Sequence, residues 1–81
     1  YVLDRPGWVA TVRIFDQQGR DVRLLRLQEL LGTSGTFSWD GIRDDRQKAR
    51  MGMYVILVER FLPSGEVATD KLTVALAHKL R

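Results

Sequence analysis

Three carboxylates lie close together near the middle of the sequence, and they are the side chains best suited to bind a metal ion. Asp40 follows Trp39, and the adjacent pair Asp44 and Asp45 comes shortly after it. Oxygen-rich loops of this kind can hold calcium. The spacing differs from that of the EF-hand loop, and no Glu follows at the required distance. We therefore expect these aspartates to cap backbone amides in a turn. Calcium binding is the weaker alternative, and no cofactor is indicated.

Side chains suited to catalysis are few in this sequence. His78 is the only histidine, and the chain has no cysteine. No Ser lies in a nucleophile-elbow context, and neither a GxGxxG nor a Walker pattern occurs. Paired carboxylates support glycoside hydrolysis only when a cleft holds them at a set separation, which adjacent acids on an exposed turn do not provide. The sequence indicates no catalytic centre, and we expect that the protein is not an enzyme.

The two tryptophans, Trp8 and Trp39, are accompanied by basic residues, as on surfaces that stack on sugars or nucleic-acid bases. The net charge is +3. The Lys and Arg residues, however, are spread along the chain among acids, whereas phosphate binding needs them clustered. We expect both indoles to pack in the core and no nucleic acid as a partner. Sugar stacking is the alternative, and the exposure of Trp8 and Tyr1 decides it.

The elements that must position these side chains are strands. Residues 8–15 alternate, with Val12 and Ile14 on one face and Arg13 on the other. A period of two with β-branched residues is typical of a strand. The same pattern predicts strands at residues 21–27, 36–39, 53–61 and 67–76, and the end of a strand at residues 1–4.

The turn of the first hairpin predicts how its strands pair. A three-residue loop at positions 17–19 would set Ile14 opposite Val22, so that apolar side chains share one face. The segment 28–31 is too short for a regular helix. We expect it to form one helical turn or a bulged loop.

The second hairpin turns at residues 63–65, where Pro, Ser and Gly follow one another. Pairing about this turn sets Ile56 opposite Leu72 and Tyr54 opposite Val74. The leucines spaced four apart in the last segment also fit a helix, which is the weaker alternative to a strand.

The length of 81 residues allows one small domain, residues 1–81, with a thin core. No run approaches the roughly 18 apolar residues that a membrane span needs. Short strands with Gly and Pro turns predict an all-β fold, a small antiparallel β-sandwich. The side chains expected between its two layers are Val12, Ile14, Trp39, Tyr54, Ile56 and Val74.

The chain resembles the immunoglobulin-like domain of the flagellar hook-capping protein family. The similar strings are YVLDRPGW, VRIFDQQGRDV, ELLGTSGTFSWDG, GMYVILVERF, PSGEV and KLTVALAHKL. It is still more similar to the domain that closes secreted multidomain proteins of the Bacteroidetes type, often behind lamin-tail-type domains. Such terminal domains are similar to those that carry type IX secretion signals. The most specific part of the resemblance is the set Trp39, Asp40, Gly41, Gly52 and Tyr54.

Two features of this chain differ from that family. Family members often have a Gly after the acidic pair, where this chain has Arg46 and Gln47. The family's first strand is mostly missing, and only residues 1–4 correspond to its end. The resemblance therefore implies an immunoglobulin-like sandwich of about five to seven strands with a truncated first strand.

The resemblance also implies a function without catalysis. The chain would be the C-terminal module of an exported protein, extracellular or on the surface of a Gram-negative bacterium. Its partners would be the secretion or cell-surface machinery and the neighbouring domains that it spaces. We expect a sorting signal in the last strand and tail, at Lys71, Leu72, Val74, Leu76, Lys79, Leu80 and Arg81. Two alternatives stay open: a carbohydrate- or protein-binding accessory module of a larger enzyme, and an assembly subunit like the hook cap. The oligomeric state is open as well.

Overall fold

Apolar residues at alternate positions form four long strands in the computed structural model, which describes residues 1–77. Strand β1 is Val9–Phe15, β2 is Asp21–Leu30, β3 is Gly52–Phe61 and β4 is Val67–Leu76. They pair antiparallel in one sheet, in the order β2-β1-β3-β4. The predicted all-β antiparallel fold is confirmed at this level. None of the described residues forms a helix, and so none of them belongs to a helix suited to crossing a membrane.

The hairpin of β3 and β4 is regular over its whole length. Its ladder sets Ile56 opposite Leu72 and Tyr54 opposite Val74, as the turn at residues 63–65 predicts. Leu62 N donates to Glu66 O at 2.8 Å and closes that turn. The helix alternative for this segment is wrong, because every residue of β4 pairs with β3.

The hairpin of β1 and β2 begins in the predicted register and then leaves it. Phe15 pairs with Asp21, but the next pair is Ile14 with Arg23, so the predicted pairing of Ile14 with Val22 is wrong. The ladder contains three such register shifts. A bulge sets two residues of one strand against one of its partner and turns the side chains locally. As a result Val22 and Ile14 are still buried together.

Strand β2 continues to Leu30 and includes most of the segment 28–31, so the predicted helical turn there is wrong. The alternative of a bulge describes this region better. Gln28 has a φ of 48°, and its amide donates to Thr11 Oγ1 at 3.2 Å instead of to the partner backbone. The bulge leaves Leu27 and Leu30 mostly exposed at this edge of the sheet.

One face of the sheet, which we call the inner face, holds the core. Val12 and Ile14 are the largest side chains that are completely buried. The Trp8 cluster consists of Trp8, Ala10, Leu31 and Leu62, and the Tyr54 cluster consists of Ile14, Val22, Ala49 and Tyr54. The remaining residues predicted for the core, Trp39, Ile56 and Val74, are partly buried and pack against the Tyr54 cluster.

The layer that covers the inner face is extended and turning chain. Residues 1–3 run antiparallel to residues 33–35: Val2 bridges Ser34, and Leu3 N donates to Thr33 O at 2.7 Å. The strand predicted at 36–39 is wrong, because these residues pair with no strand among the described residues. Their side chains still alternate, since Phe37 and Trp39 are partly buried and the residues between them are exposed.

Candidate functional site

The turn at Trp39, Asp40 and Gly41 is built by hydrogen bonds to one short stretch of backbone. Asp40 Oδ1 accepts from Ile42 N at 2.9 Å, which is the capping that the sequence predicts for this aspartate. Trp39 Nε1 donates to Ile42 O at 3.0 Å. Gly41 is buried with a φ of 79°, and a Cβ there would lie 3.3 Å from Leu76 Cδ1. The turn therefore packs tightly against the end of β4, and glycine suits it on both counts.

The side chains of Trp39 and Tyr54 hold the two ends of an arm, residues 41–51, against the sheet. Their rings meet edge to face, with centroids 5.2 Å apart and planes at 68°, a geometry that aromatic pairs favour. Tyr54 Oη donates to Arg50 O at 2.6 Å. Gly52, with a φ of 153°, lies between Arg50 and Tyr54 in the sequence and begins β3. The residues that carry the family resemblance thus form one structural clamp.

The arm itself is a small irregular hairpin. Ala49 N donates to Gly41 O, and Arg43 N donates to Gln47 O, each at 2.8 Å. Arg46 lies at its tip with a φ of 69°, in the left-handed region where side chains are rarely found. This residue directly follows the acidic pair Asp44 and Asp45. The arm therefore adopts a backbone conformation that suits glycine although an arginine occupies the position.

The three aspartates singled out in the sequence each serve a different part of the backbone. Both carboxylate oxygens of Asp44 accept from Leu24 N at 3.1 Å. This contact joins the arm to the bulged strand β2. Asp45 Oδ1 accepts from Gln47 N at 3.0 Å, and Asp40 caps its own turn. Within residues 1–77 no group of three or more His, Cys, Asp or Glu side chains is placed to hold a metal ion. These three aspartates thus act as backbone caps.

Asp16 caps backbone amides in the loop of the first hairpin, a role that was not predicted from the sequence. Its Oδ1 accepts from Gln18 N at 2.9 Å and from Arg20 N at 3.0 Å. Its Oδ2 accepts from Arg20 Nε at 2.9 Å. The hydrogen bond from the Arg20 amide is the main cause that holds the pKa of Asp16 below its ordinary value of 3.8. An Asp placed directly before a Gly-containing loop was the available signal.

The segment expected to carry a sorting signal divides into two parts. Lys71, Leu72, Val74 and Leu76 belong to β4. Val74 and Leu76 pack against the Tyr54 cluster, whereas Leu72 is 61% exposed although it lies on the inner face. Lys79, Leu80 and Arg81 lie outside the residues that the structure describes, as does His78.

The two aromatic side chains that decide sugar stacking have different surroundings. Trp8 is only 3% exposed, and the Arg60 guanidinium lies 4.2 Å from its ring centroid. Trp8 Nε1 donates to Asp4 Oδ1 at 3.3 Å. Tyr1 is more exposed and stacks on Phe37, with ring centroids 5.0 Å apart. Trp8 is therefore a core residue and offers no ring face for a sugar.

The opposite side of the sheet, which we call the outer face, is not covered by any other part of residues 1–77. Directly paired residues share a face, so Phe15 lies beside Val55, and Val67 beside Phe61. Phe61 is 40% exposed and Val67 is 75% exposed. Phe15 and Val55 are partly buried by their own neighbours in the sheet. The outer face is thus an exposed surface with several large apolar side chains.

A second apolar surface lies on the inner face, where the covering layer ends. It is a groove of about 380 Å³, which we call the inner groove. Residues 1–3 and 36–37 form one wall, and β3 and β4 form the floor. The apolar side chains that line it are Tyr1, Leu3, Phe37, Ile56, Val58 and Leu72.

Comparison with protein-family models, with curated proteins and with solved structures finds no significant match to this chain.

Proposed function

We propose that this chain is a non-catalytic β-sandwich module that attaches an exported protein to the secretion or cell-surface machinery, or spaces its neighbouring domains. The location would be extracellular or on the surface of a Gram-negative bacterium. The observation that carries the proposal is the outer face, a side of the sheet that residues 1–77 leave uncovered. Exposed large apolar side chains such as Phe61 and Val67 on this face are typical of docking surfaces between proteins.

We also propose how the sheet fits into a complete domain. We take the chain as an immunoglobulin-like sandwich of about five to seven strands, with the four-stranded sheet as one layer. The second layer would be built on residues 1–3 and on residues 33–39, which cross the inner face in extended conformation. The short pairing of residues 1–3 with residues 33–35 supports this second layer.

An export and attachment assay tests this function at the outer face. A reporter fused ahead of the chain would be expressed in a Gram-negative bacterium with type IX machinery, and its surface-bound fraction measured. Replacing Phe61 and Val67 with Lys places two charges on the outer face and should release most of the bound reporter. The matched control replaces Gln17 and Gln18 with Lys, which adds the same charge on an exposed loop. Equal attachment of the two variants would contradict docking at the outer face.

The sorting signal needs a separate test that leaves the sheet intact. Deleting residues from position 71 onwards would remove half of β4, including Val74 and Leu76 from their contacts with the Tyr54 cluster. A folding defect would then look like a sorting defect. Replacing Lys79, Leu80 and Arg81 with Ser leaves β4 untouched. Unchanged export of this variant would place the signal elsewhere, and concentration-dependent oligomers in sedimentation would favour an assembly subunit instead.

A further inference from the structure

A polar cleft, which we call the arginine cleft, lies between the loop of the first hairpin, the arm and the start of β3. Its volume is about 760 Å³, within the range of about 300–1,000 Å³ that small-molecule sites occupy. Arg20 of the loop and Arg43 and Arg50 of the arm line it, together with Asp16 and Asp21. Guanidinium groups suit an anion, because their N–H groups form a planar fork that matches a phosphate or a carboxylate.

Arg50 is the arginine of this cleft whose side chain is free for a ligand. Within residues 1–77 its guanidinium forms no ion pair and no hydrogen bond, whereas every other arginine there except Arg46 is in an ion pair. Its backbone is anchored, because Arg50 O accepts from Tyr54 Oη at 2.6 Å. Lys48 and Arg50 are exposed on either side of the buried Ala49, so both point away from the core. Arg50 therefore offers an unpaired positive charge from a fixed position.

The other two arginines of the cleft are held by acids but keep N–H groups for a ligand. Arg20 Nε donates to Asp16 Oδ2 at 2.9 Å, and its Nη2 reaches only Gln18 Oε1, at 3.5 Å. Arg43 Nε lies 3.6 Å from Asp45 Oδ2, which is longer than a hydrogen bond. A guanidinium has five N–H donors, so each of these side chains has donors to spare. A phosphate monoester carries almost two negative charges and three acceptor oxygens, and it can bind Arg50 and a second arginine together.

The remainder of the cleft suits hydroxyl groups better than a nucleotide base. Gln17 and Asp21 line it, and within residues 1–77 neither side chain makes a hydrogen bond or an ion pair. Amide and carboxylate oxygens accept from hydroxyl groups. Tyr54 is the aromatic residue of the lining, and it is only 6% exposed. A base would therefore find no ring face on which to stack.

We propose that the arginine cleft binds a phosphorylated sugar. The phosphate binds Arg50 and a neighbouring arginine, and the sugar hydroxyls bind Gln17 and Asp21. A free phosphate ion would leave these last two groups unused. The site is built by the hairpin loop and the arm, and it does not depend on the function proposed for the outer face.

A titration of the full chain followed by NMR tests the site with four probes: glucose 6-phosphate, mannose 1-phosphate, glucose and inorganic phosphate. We expect at least one of the two hexose phosphates to shift the backbone amides of residues 17–21 and 50–53 in a saturable way. It should bind about tenfold or more tightly than inorganic phosphate, because it uses the hydroxyl partners as well as the arginines. Glucose alone should cause no shift. The proposal is overturned if neither hexose phosphate binds more tightly than inorganic phosphate.

A matched pair of variants separates the arginine cleft from a general attraction between the basic chain and an anion. Arg50→Gln and Lys48→Gln each remove one exposed positive charge from the same limb of the arm, but only Arg50 lines the cleft. Arg50→Gln should weaken binding of the hexose phosphate by about tenfold or more. Lys48→Gln should weaken it by about twofold or less at about 0.15 M salt, where charges outside the site are screened. Thermal midpoints that match that of the parent chain show that both variants keep the fold. Equal weakening by the two variants would contradict a site at Arg50.

Discussion

The two hairpins of the sheet differ, because one has the more regular strand pairing and the other contains the more deeply buried side chains. The hairpin of β3 and β4 pairs without a register shift, whereas the hairpin of β1 and β2 shifts three times. The irregular hairpin nevertheless contains the deeply buried residues Val12, Ile14 and Val22. Most residues of β4 are exposed, and they include Asp70 and Leu72 on its inner side. A regular ladder satisfies backbone groups, but it buries apolar surface only where another layer lies over it.

The covering layer explains the difference between the hairpins. The arm and residues 31–40 lie over β1, β2 and part of β3, and Asp44 ties the arm to the bulged backbone at Leu24. Over the middle of β4 the layer stops, and Leu72 faces the inner groove. We therefore expect stability to depend on the first hairpin and its cover, and much less on the exposed part of β4.

The largest contrast should appear when one apolar side chain is removed from each hairpin. Ile14→Ala removes a completely buried side chain and should cost about 2–5 kcal/mol of unfolding free energy. Leu72→Ala, at the exposed position, should change it by about 0.5 kcal/mol or less. Urea unfolding of both variants measures these losses. If Ile14→Ala does not fold, Ile14→Val can replace it, with an expected loss of about 0.5–1.5 kcal/mol. Equal losses of unfolding free energy for Ile14→Ala and Leu72→Ala would contradict the expected difference between the two hairpins.

The clamp at the ends of the arm should give the next largest effect. Tyr54→Phe keeps the ring contact with Trp39 but removes the hydrogen bond to Arg50 O, and it should cost about 1 kcal/mol. Tyr1→Phe is the control, because Tyr1 is 40% exposed, and it should be nearly neutral. Urea unfolding measures both. A neutral Tyr54→Phe would show that the hydrogen bond from Tyr54 Oη to Arg50 O does not help to hold the arm.

Asp44 should matter more than its neighbour Asp45, because of these two carboxylates only that of Asp44 accepts a hydrogen bond from β2. Asp44→Ala leaves Leu24 N without its partner and should cost about 1 kcal/mol. Asp45→Ala removes only a local cap within the arm and should cost less. Thermal unfolding measures both, and adding calcium should leave the midpoint of the parent chain unchanged. A midpoint that rises with calcium would restore the metal-binding alternative.

Part of this architecture could be read from the sequence, and the rest depends on contacts between distant segments. The pairing of Tyr54 with Val74 follows from a tight turn and an unbroken alternation, and it is confirmed. The pairing of Ile14 with Val22 was wrong because a bulge is a backbone feature that leaves the apolar pattern intact. The Asp40 cap is local and was predicted. The link from Asp44 to Leu24 spans 20 positions and gives no local signal.

Arg46 should give a small effect in the opposite direction. Its φ of 69° lies in a region that costs residues with a Cβ about 1–2 kcal/mol. Glycine avoids that cost but loses about 0.5–1 kcal/mol through greater freedom when unfolded. Arg46→Gly should therefore be neutral to stabilising by about 1 kcal/mol, whereas Arg43→Gly, in the same arm, should destabilise. Thermal unfolding distinguishes the two, and a clear loss for Arg46→Gly would contradict the left-handed backbone at this tip.

The smallest effect should be a pH dependence confined to the loop of the first hairpin. The pKa of Asp16 is lower in the folded chain than its ordinary value of 3.8. Its contribution to stability is therefore complete above that value and is lost as the pH falls through the folded pKa. The Gly19 amide donates to Asp16 O. As the pH falls from 5 to below 3.8, its rate of hydrogen exchange should increase relative to that of the Gly65 amide. Asp16→Asn should abolish that difference, and its persistence in the variant would exclude Asp16 as the cause.

The most direct test of the account is residue-resolved hydrogen exchange on the free chain. The central claim is that residues 36–39 lie extended over the sheet and that their backbone pairs with no other part of residues 1–77, while β3 is paired on both sides. We expect the amides of Thr36, Phe37 and Ser38 to exchange almost as fast as in an unfolded chain and those of Ile56 and Val58 to be among the slowest. Protection at residues 36–38 comparable to that in β3 would mean that their backbone groups are paired, and it would contradict the account.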